Sequence, residues 1–124
     1  FTGFAPGGMK GLWSSRIRKD DNQLVLVESA IDAFSYHILY GSDQTRYVST
    51  GGELNPRQPG LIQEAIGKMP KDALILLAFD SDEGGEKISE EVKKAIFPER
   101  KIKRALPDIG KDWNEMLKHR LGLT

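Results

Sequence analysis

The sequence predicts an α/β domain built on a parallel sheet of about four strands, with helices on both faces. Two observations predict this class. Short apolar runs alternate with longer segments whose apolar residues recur at helical spacing, and glycine or proline residues separate most of these segments. Alternating strands and helices form right-handed crossovers, which produce a parallel sheet. Ligands of such sheets bind at the carboxyl ends of the strands, so the residues that follow each strand are candidates for a site.

The composition is that of an ordinary globular domain. The chain has 124 residues, of which 39% are hydrophobic and 29% are charged, and its formal net charge is zero. No apolar run approaches the ~20 residues that span a bilayer, so no membrane association is expected. Cysteine is absent, which excludes disulfides and thiolate zinc sites and fits a cytoplasmic location. Because the chain begins at Phe1, we expect it to be a piece of a longer polypeptide.

The chain divides into a lead-in and a domain. Residues 1–22 are interpreted as the tail of a preceding domain, with one short strand expected near residues 12–17, and residues 23–124 as the domain itself. Strands are predicted in the domain at 24–27, 46–50, 73–79 and 101–106. Helices are predicted at 29–40, 56–69, 83–97 and 112–121.

The first half of the domain establishes the alternation. Residues 24–27 are a continuous apolar run, as expected for a strand that is covered on both faces. The helix that follows has Ile31, Phe34 and Ile38 at helical spacing, and Gly41 ends it. Two glycines close the second strand. The apolar face of the second helix consists of Leu61, Ile62, Ala65 and Ile66.

The second half continues the pattern. Residues 73–79 are all apolar and form the strongest predicted strand, and Pro98 ends the helix that follows it. Residues 101–106 are a weaker strand, which we place near an edge of the sheet. The basic cluster at 100–104 is interpreted as solvated. The inward faces of the last two helices are predicted to be Ile88, Val92, Ala95 and Ile96, and then Trp113, Met116 and Leu117.

Carboxylates follow three of the four predicted strands. Glu28 follows the first strand, and Asp80 and Asp82 follow the third. Asp112 comes after a short loop behind the fourth strand. These strand ends meet at one edge of a parallel sheet, so the carboxylates should lie together. Like charges in such a cluster repel unless a cation is present, and oxygen ligands without Cys or His suit Mg²⁺ or Mn²⁺.

The same aspartates have a structural alternative. A single Asp after a strand is more often a helix N-cap than a ligand. Asp32 lies in an S-x-x-D pattern at a helix start, and Asp112 precedes a glutamate by three residues. Asp80 and Asp82 would also shape the turn before the next helix. Both interpretations stay open for each residue taken singly, while the convergence of three carboxylates on two buried strands favours a site.

Four motifs in this order resemble the Toprim domain. They are Val-Glu-Ser-Ala-Ile-Asp-Ala (27–33), Ser-Thr-Gly-Gly (49–52), Ala-Phe-Asp-Ser-Asp-Glu-Gly-Gly (78–85) and Gly-Lys-Asp-Trp-Asn-Glu (110–115). They are most similar to the version in bacterial and phage primases and in primase-like proteins of plasmids and mobile elements. The resemblance covers about residues 22–121 and implies a compact Rossmann-like Toprim fold. Gly84 and Asn114 depart from the pattern, which has Ala and often Asp at these positions.

The resemblance implies a role for each matching residue. Glu28 would be the general acid or base, or a metal ligand. Asp80 and Asp82 would hold Mg²⁺ or Mn²⁺, and Asp32 and Asp112 would extend the acidic cluster. Two metals ~3.5–4 Å apart would clamp the attacking and leaving oxygens of a phosphoryl transfer. The expected phosphate or nucleic-acid contacts are Gly51, Gly52 and Lys87.

The implied function is magnesium-dependent phosphodiester chemistry on nucleic acid, as in the nucleotidyl transfer by which a DNA primase makes primers for replication. The implied partners are a single-stranded DNA template, nucleotides and the other domains of a larger polypeptide, with a helicase among the candidates. Because the net charge is zero, the isolated domain is expected to bind a template weakly. It is therefore not expected to be active alone. Three alternatives stay open: strand cleavage as in Toprim nucleases and topoisomerases, a non-catalytic module that binds metal and nucleic acid, and a phosphohydrolase with a D-x-D nucleophile.

Overall fold

The computed structural model describes residues 13–51, 58–95 and 99–123, and the fold is given for these residues. The strands are β1 Trp13–Ser14, β2 Gln23–Val27, β3 Thr45–Ser49, β4 Leu74–Leu77 and β5 Lys101–Arg104. The helices are α1 Ala30–Tyr40, α2 Gln58–Gly67, α3 Glu83–Ala95 and α4 Trp113–Arg120. The predicted strands and helices are therefore all observed, in the predicted order.

The ends of the elements differ from the prediction by a few residues. β4 ends at Leu77, although the apolar run continues to Phe79. The Ala78 N–H still donates to the Leu26 carbonyl at 2.8 Å, so the buried run extends past the regular ladder. The predicted start of the second helix at residue 56 and the predicted end of the third at residue 97 lie outside the described residues. None of the described helices is long and apolar enough to cross a membrane.

The strands form one sheet in the order β1-β3-β2-β4-β5. The four longer strands run parallel, and β1 pairs antiparallel with β3. The predicted α/β class with a parallel sheet is confirmed, and β5 lies at an edge as predicted. β2 and β4 are central neighbours, with Leu26 opposite Leu77. The residues that follow these two strands therefore leave the sheet side by side at its carboxyl edge.

Alternate residues of β2 face two separate cores, because successive side chains of a strand point to opposite faces. Leu24 and Leu26 pack in one core with residues of α2 and α3. Val25 and Val27 pack in the other core with residues of α1 and α4. All four side chains are completely buried. Helices therefore cover both faces of the sheet, which explains why the strand reads as a continuous apolar run.

Helix α1 is confirmed, but the apolar residues that predicted it do not face the core. Ile31, Phe34 and Ile38 are 58%, 50% and 53% exposed. Ala33 and Tyr36 pack against the sheet instead. Apolar residues occur on more than one side of this helix, so spacing alone identifies a helix without fixing its buried side.

The second part of the lead-in is attached to β3. The Ser15 N–H donates to the Tyr47 carbonyl at 3.0 Å, and the Tyr47 N–H donates to Ser15 Oγ at 2.9 Å. Further along, Arg46 Nε donates to Asp21 Oδ2 at 2.9 Å, and both side chains are buried. Residues 13–21 thus contact the sheet directly, and the assignment of residues 1–22 to the tail of a preceding domain stays a prediction.

Candidate metal centre

The acidic residues singled out in the sequence lie at the carboxyl edge of the sheet. Glu28 directly follows β2, and Asp80 lies in the loop that leads from β4 to α3. Asp82 immediately precedes α3, and Asp112 immediately precedes α4. Because β2 and β4 are adjacent and parallel, their carboxyl ends bring Glu28 and Asp80 together. The convergence expected at the carboxyl ends of parallel strands is therefore observed.

The carboxylates form two groups of three that share Asp80. In the first group, one oxygen each of Glu28, Asp80 and Asp82 lies within 4.8 Å of the others. In the second group, oxygens of Asp32, Asp80 and Asp112 meet the same limit. The five acidic residues named from the sequence thus make one cluster centred on Asp80. Metal binding by these residues stays a proposal.

Asp80 lies in an environment that disfavours its charged form. Burial raises its pKa to about 8, and hydrogen bonding with Glu28 and the charges of Glu28, Asp112 and Asp82 act in the same direction. Asp80 Oδ1 is buried and has no hydrogen-bond partner. A buried polar oxygen without a donor is unfavourable. Without a cation these effects favour the protonated form of this carboxyl.

Asp32 connects the start of α1 to the start of α4. Its side chain is almost completely buried, with Oδ2 accepting from Ser29 Oγ at 3.0 Å and Oδ1 accepting from the Asn114 N–H at 3.2 Å. Burial and the charge of Asp112 raise its pKa to about 6, although both hydrogen bonds favour the ionised form. Asp32 therefore has the structural role that its S-x-x-D pattern predicted, and it also borders the cluster.

Asp82 and Asp112 act as helix caps. Asp82 Oδ1 accepts from the Gly85 N–H at 2.8 Å, at the start of α3. Asp112 Oδ1 accepts from the Glu115 N–H at 2.8 Å, at the start of α4. The structural alternative is thus observed for both residues. It is compatible with metal binding, because a carboxylate has two oxygens and several lone pairs.

The loop that carries Asp112 is attached to the end of β4. Trp113 is buried, and its Nε1 donates to the Ala78 carbonyl at 2.8 Å. The Ser81 N–H donates to the Lys111 carbonyl at 2.6 Å. On the α1 side, Asn114 Oδ1 accepts from Ser35 Oγ at 3.5 Å. These contacts fix the start of α4 against the loop that contains Asp80.

The predicted phosphate contacts are only partly described. Gly51 is exposed and has a φ of 71°, a conformation that favours glycine. Its N–H donates to Ser49 Oγ at 3.1 Å. Gly52 lies outside the described residues. Lys87 is exposed near the start of α3. Phosphate binding by these residues stays a proposal.

Sequence reasoning missed Arg104. The basic cluster at 100–104 was interpreted as solvated, and Lys101 and Lys103 are indeed exposed. The Arg104 side chain is only 14% exposed, and it donates to backbone carbonyls in the loop that carries Asp80. The signal was present in the alternation of β5, because residues 102 and 104 of a strand share a face and Ile102 packs against the core.

The donor set fits a divalent cation. The cluster offers carboxylate oxygens alone, which hard cations such as Mg²⁺ and Mn²⁺ prefer. The buried Asp80 Oδ1 without a hydrogen-bond donor is an oxygen that a cation would satisfy. The residues present therefore agree with the metal that the Toprim resemblance implies.

Comparison with known proteins agrees with the fold. The family described as Toprim-like matches residues 25–117, most of the chain, and the chain belongs to this family. The predicted family, the Toprim domain, is thereby confirmed. The structure is also similar to that of the primase fragment of the bacteriophage T7 primase-helicase protein, with a TM-score of 0.56 and 18% identity. The match covers 86% of this chain and 42% of that chain. The similarity in fold therefore extends over less than half of that fragment. No curated protein matches the chain.

Proposed function

We propose that this Toprim domain carries out magnesium- or manganese-dependent phosphodiester chemistry on nucleic acid, and that its reaction is the nucleotidyl transfer of primer synthesis. The observation that carries the proposal is the two groups of three acidic residues that share Asp80 at the carboxyl edge of the sheet. Membership of the Toprim-like family supports a metal-dependent role on nucleic acid. The fold shared with a primase fragment supports the choice of primer synthesis.

The proposed ligands follow from the two carboxylate groups. Glu28, Asp80 and Asp82 would hold one cation, and Asp32 and Asp112 would extend the site around Asp80. When bound, divalent cations would neutralise the charge of the transferred phosphate and lower the pKa of the attacking hydroxyl. The burial of Asp80 Oδ1 gives such a site a partly dehydrated side, while the exposure of Asp82 leaves room for retained waters.

Glu28 is the proposed general base. It is half-buried and lies against Asp80, at the end of the central strand β2. In primer synthesis its carboxylate would accept the proton of the primer 3′-hydroxyl. The 3′-oxygen would then bond to the α-phosphorus of the incoming nucleotide, and pyrophosphate would leave with the electrons of the broken P–O bond. A positioned carboxylate typically contributes about 10²–10⁴-fold to such a proton transfer.

Strand cleavage is the second candidate function. In this function Glu28, which lies against Asp80 in the cluster, would act as the general acid and protonate the leaving oxygen. The phosphohydrolase alternative has less support. A D-x-D nucleophile would use Asp80 and Asp82 but gives no role to Glu28, which lies in the same group of carboxylates.

The proposed partners are a single-stranded DNA template, nucleotides and further domains of a larger cytoplasmic polypeptide, including a helicase. The net charge of the chain is zero, and basic residues supply most of the affinity for nucleic acid. This supports a template-binding surface that lies mostly in other domains. The similar T7 structure is a fragment of a primase-helicase protein, and this chain spans less than half of that fragment. Gly51, Gly52 and Lys87 are the proposed phosphate contacts within the domain.

The test uses the full-length polypeptide with Mg²⁺, a single-stranded template and labelled nucleotides. Glu28→Gln should lower primer synthesis by about 10²–10⁴-fold, since glutamine cannot accept the proton. Template affinity and Tm should stay close to those of the wild type. The control is Glu64→Gln, an exposed glutamate of α2, which should have wild-type activity. Primer synthesis by Glu28→Gln at the wild-type rate would contradict the catalytic role. Strand cleavage by the wild type that Glu28→Gln abolishes, without primer synthesis by either, would support the second candidate.

A further inference from the structure

Arg104 joins the end of β4 to the first turns of α3. Its Nη1 donates to the backbone carbonyls of Leu77 at 2.9 Å and Phe79 at 2.7 Å. Its Nη2 donates to the Asp80 carbonyl at 2.8 Å. Nη2 and Nε also donate to Glu86 Oε1, at 2.8 and 3.1 Å. The guanidinium therefore hydrogen-bonds across the loop that carries the acidic residues, with the end of β4 on one side and α3 on the other.

Arg104 and Glu28 reach Asp80 from opposite sides. β5, which carries Arg104, adjoins β4 on the side away from β2, which precedes Glu28. Arg104 binds the backbone oxygen of Asp80, whereas the Asp80 carboxyl meets the other acidic side chains. The positive charge is paired with Glu86, which lies outside both carboxylate groups. The guanidinium thus holds the peptide while leaving the carboxylates of the cluster available for a cation.

We propose that Arg104 is a positioning residue, which holds the loop between β4 and α3 so that the carboxylates of Asp80 and Asp82 converge with Glu28. This inference rests on the proposed metal site. A guanidinium suits the role because it has five N–H donors in a planar arrangement. These donors can bind several backbone carbonyls of one loop and a carboxylate at the same time. A lysine has three donors and satisfies only part of this set.

The test measures Mn²⁺ binding to the 124-residue chain by the loss of the electron paramagnetic resonance signal of free Mn²⁺. Arg104→Gln should raise the Kd for Mn²⁺ by about tenfold or more, as expected when the support of a metal ligand is removed. Arg104→Lys should give an intermediate Kd, since it retains the charge and some donors. Thermal unfolding of each variant sets a temperature at which it is folded, and the titrations are made below that temperature.

The chain offers a matched control in Arg100. Its Nη1 donates to the backbone carbonyls of Met69 at 3.2 Å and Pro70 at 2.6 Å. These contacts resemble those of Arg104, but they lie just before β4 and β5 start, at the opposite end of the sheet from the cluster. Arg100→Gln should lower Tm and leave the Kd for Mn²⁺ at its wild-type value. A purely structural role for Arg104 predicts that both variants lose stability and neither loses Mn²⁺ affinity.

The double variant Asp80→Asn with Asp82→Asn separates this inference from the proposed function. If it loses Mn²⁺ binding while folded Arg104→Gln binds as tightly as the wild type, the metal site stands and the role of Arg104 is overturned. If the double variant binds Mn²⁺ as tightly as the wild type, the metal site and the role of Arg104 are both overturned. If Arg104→Gln does not fold, Arg104→Lys decides, and wild-type affinity in that variant overturns the role.

Discussion

Two adjacent glycines at the start of α3 should respond oppositely to the same substitution. A Cβ added to Gly85 would overlap the backbone of Asp80, including its carbonyl group. A Cβ added to Gly84 would meet only Asp82 Oδ1, at 3.4 Å, which is an ordinary contact. Gly84→Ala also restores the residue that the Toprim pattern usually has. The pair therefore tests whether the close approach of α3 to Asp80 maintains the acidic cluster.

The expected magnitudes follow from these contacts. Gly84→Ala should stabilise the domain by about 0.4–1 kcal/mol, because alanine reduces the conformational freedom of the unfolded chain without strain in the folded state. Gly85→Ala should destabilise it by about 1–3 kcal/mol, the usual range for overpacking, because the obstacle is backbone rather than a movable side chain. For a domain of this size, 1 kcal/mol corresponds to a change in Tm of roughly 3–6 °C.

Scanning calorimetry and Mn²⁺ titration together provide the assay. Gly84→Ala should raise Tm by a few degrees and retain the wild-type Kd for Mn²⁺. Gly85→Ala should lower Tm and weaken Mn²⁺ binding, since α3 and the Asp80 backbone must move apart. Wild-type Tm and Mn²⁺ affinity in Gly85→Ala would refute the argument that this contact determines the position of Asp80.

Two further predictions concern charge. Because burial raises the pKa of Asp80 to about 8 and that of Asp32 to about 6, the metal-free folded state holds more protons than the unfolded state. Its Tm should therefore fall as the pH rises from about 5 to about 8, with a smaller fall in Asp80→Asn, and an equal fall in both would contradict this. In urea unfolding, Asp21→Ala should cost about 3–5 kcal/mol, because it leaves the buried Arg46 without its carboxylate partner. Glu64→Gln, in an exposed ion pair, should cost at most about 0.5 kcal/mol, and equal costs would show that burial of the first pair is unimportant.

The sequence predicted the features that depend on local pattern. The apolar run at residues 24–27 identified a strand covered on both faces, and the observed β2 lies in the middle of the sheet between two cores. The placement of Glu28 and Asp80 at one edge of the sheet followed from the same pattern, because parallel strands present their carboxyl ends at one edge. The local order of apolar and acidic residues was sufficient to predict the fold class and the location of the acidic cluster.

Features that depend on which elements meet could not be predicted in the same way. The partners of Arg104 are fixed by the pairing of β4 with β5, which the sequence does not state. The exposed side of α1, with Ile31 and Ile38, depends on which residues the sheet and α4 contact. The buried pair of Asp21 and Arg46 joins the lead-in to β3 across a long sequence separation. Each of these features depends on contacts between residues that are distant in sequence, and local sequence pattern does not determine such contacts.

The capping by Asp82 and Asp112 has a consequence for how this domain would change over evolution. Both residues start a helix, and asparagine caps a helix about as well as aspartate while lacking the charge. A descendant that no longer used a cation would therefore keep an oxygen-bearing side chain at both positions through selection for folding alone. The caps of α1 and α3 are Ser29 and Asp82, so Glu28 and Asp80 have no such protection. Loss of these two carboxylates would be the earliest mark of a Toprim domain that retains its fold after its chemistry has lapsed.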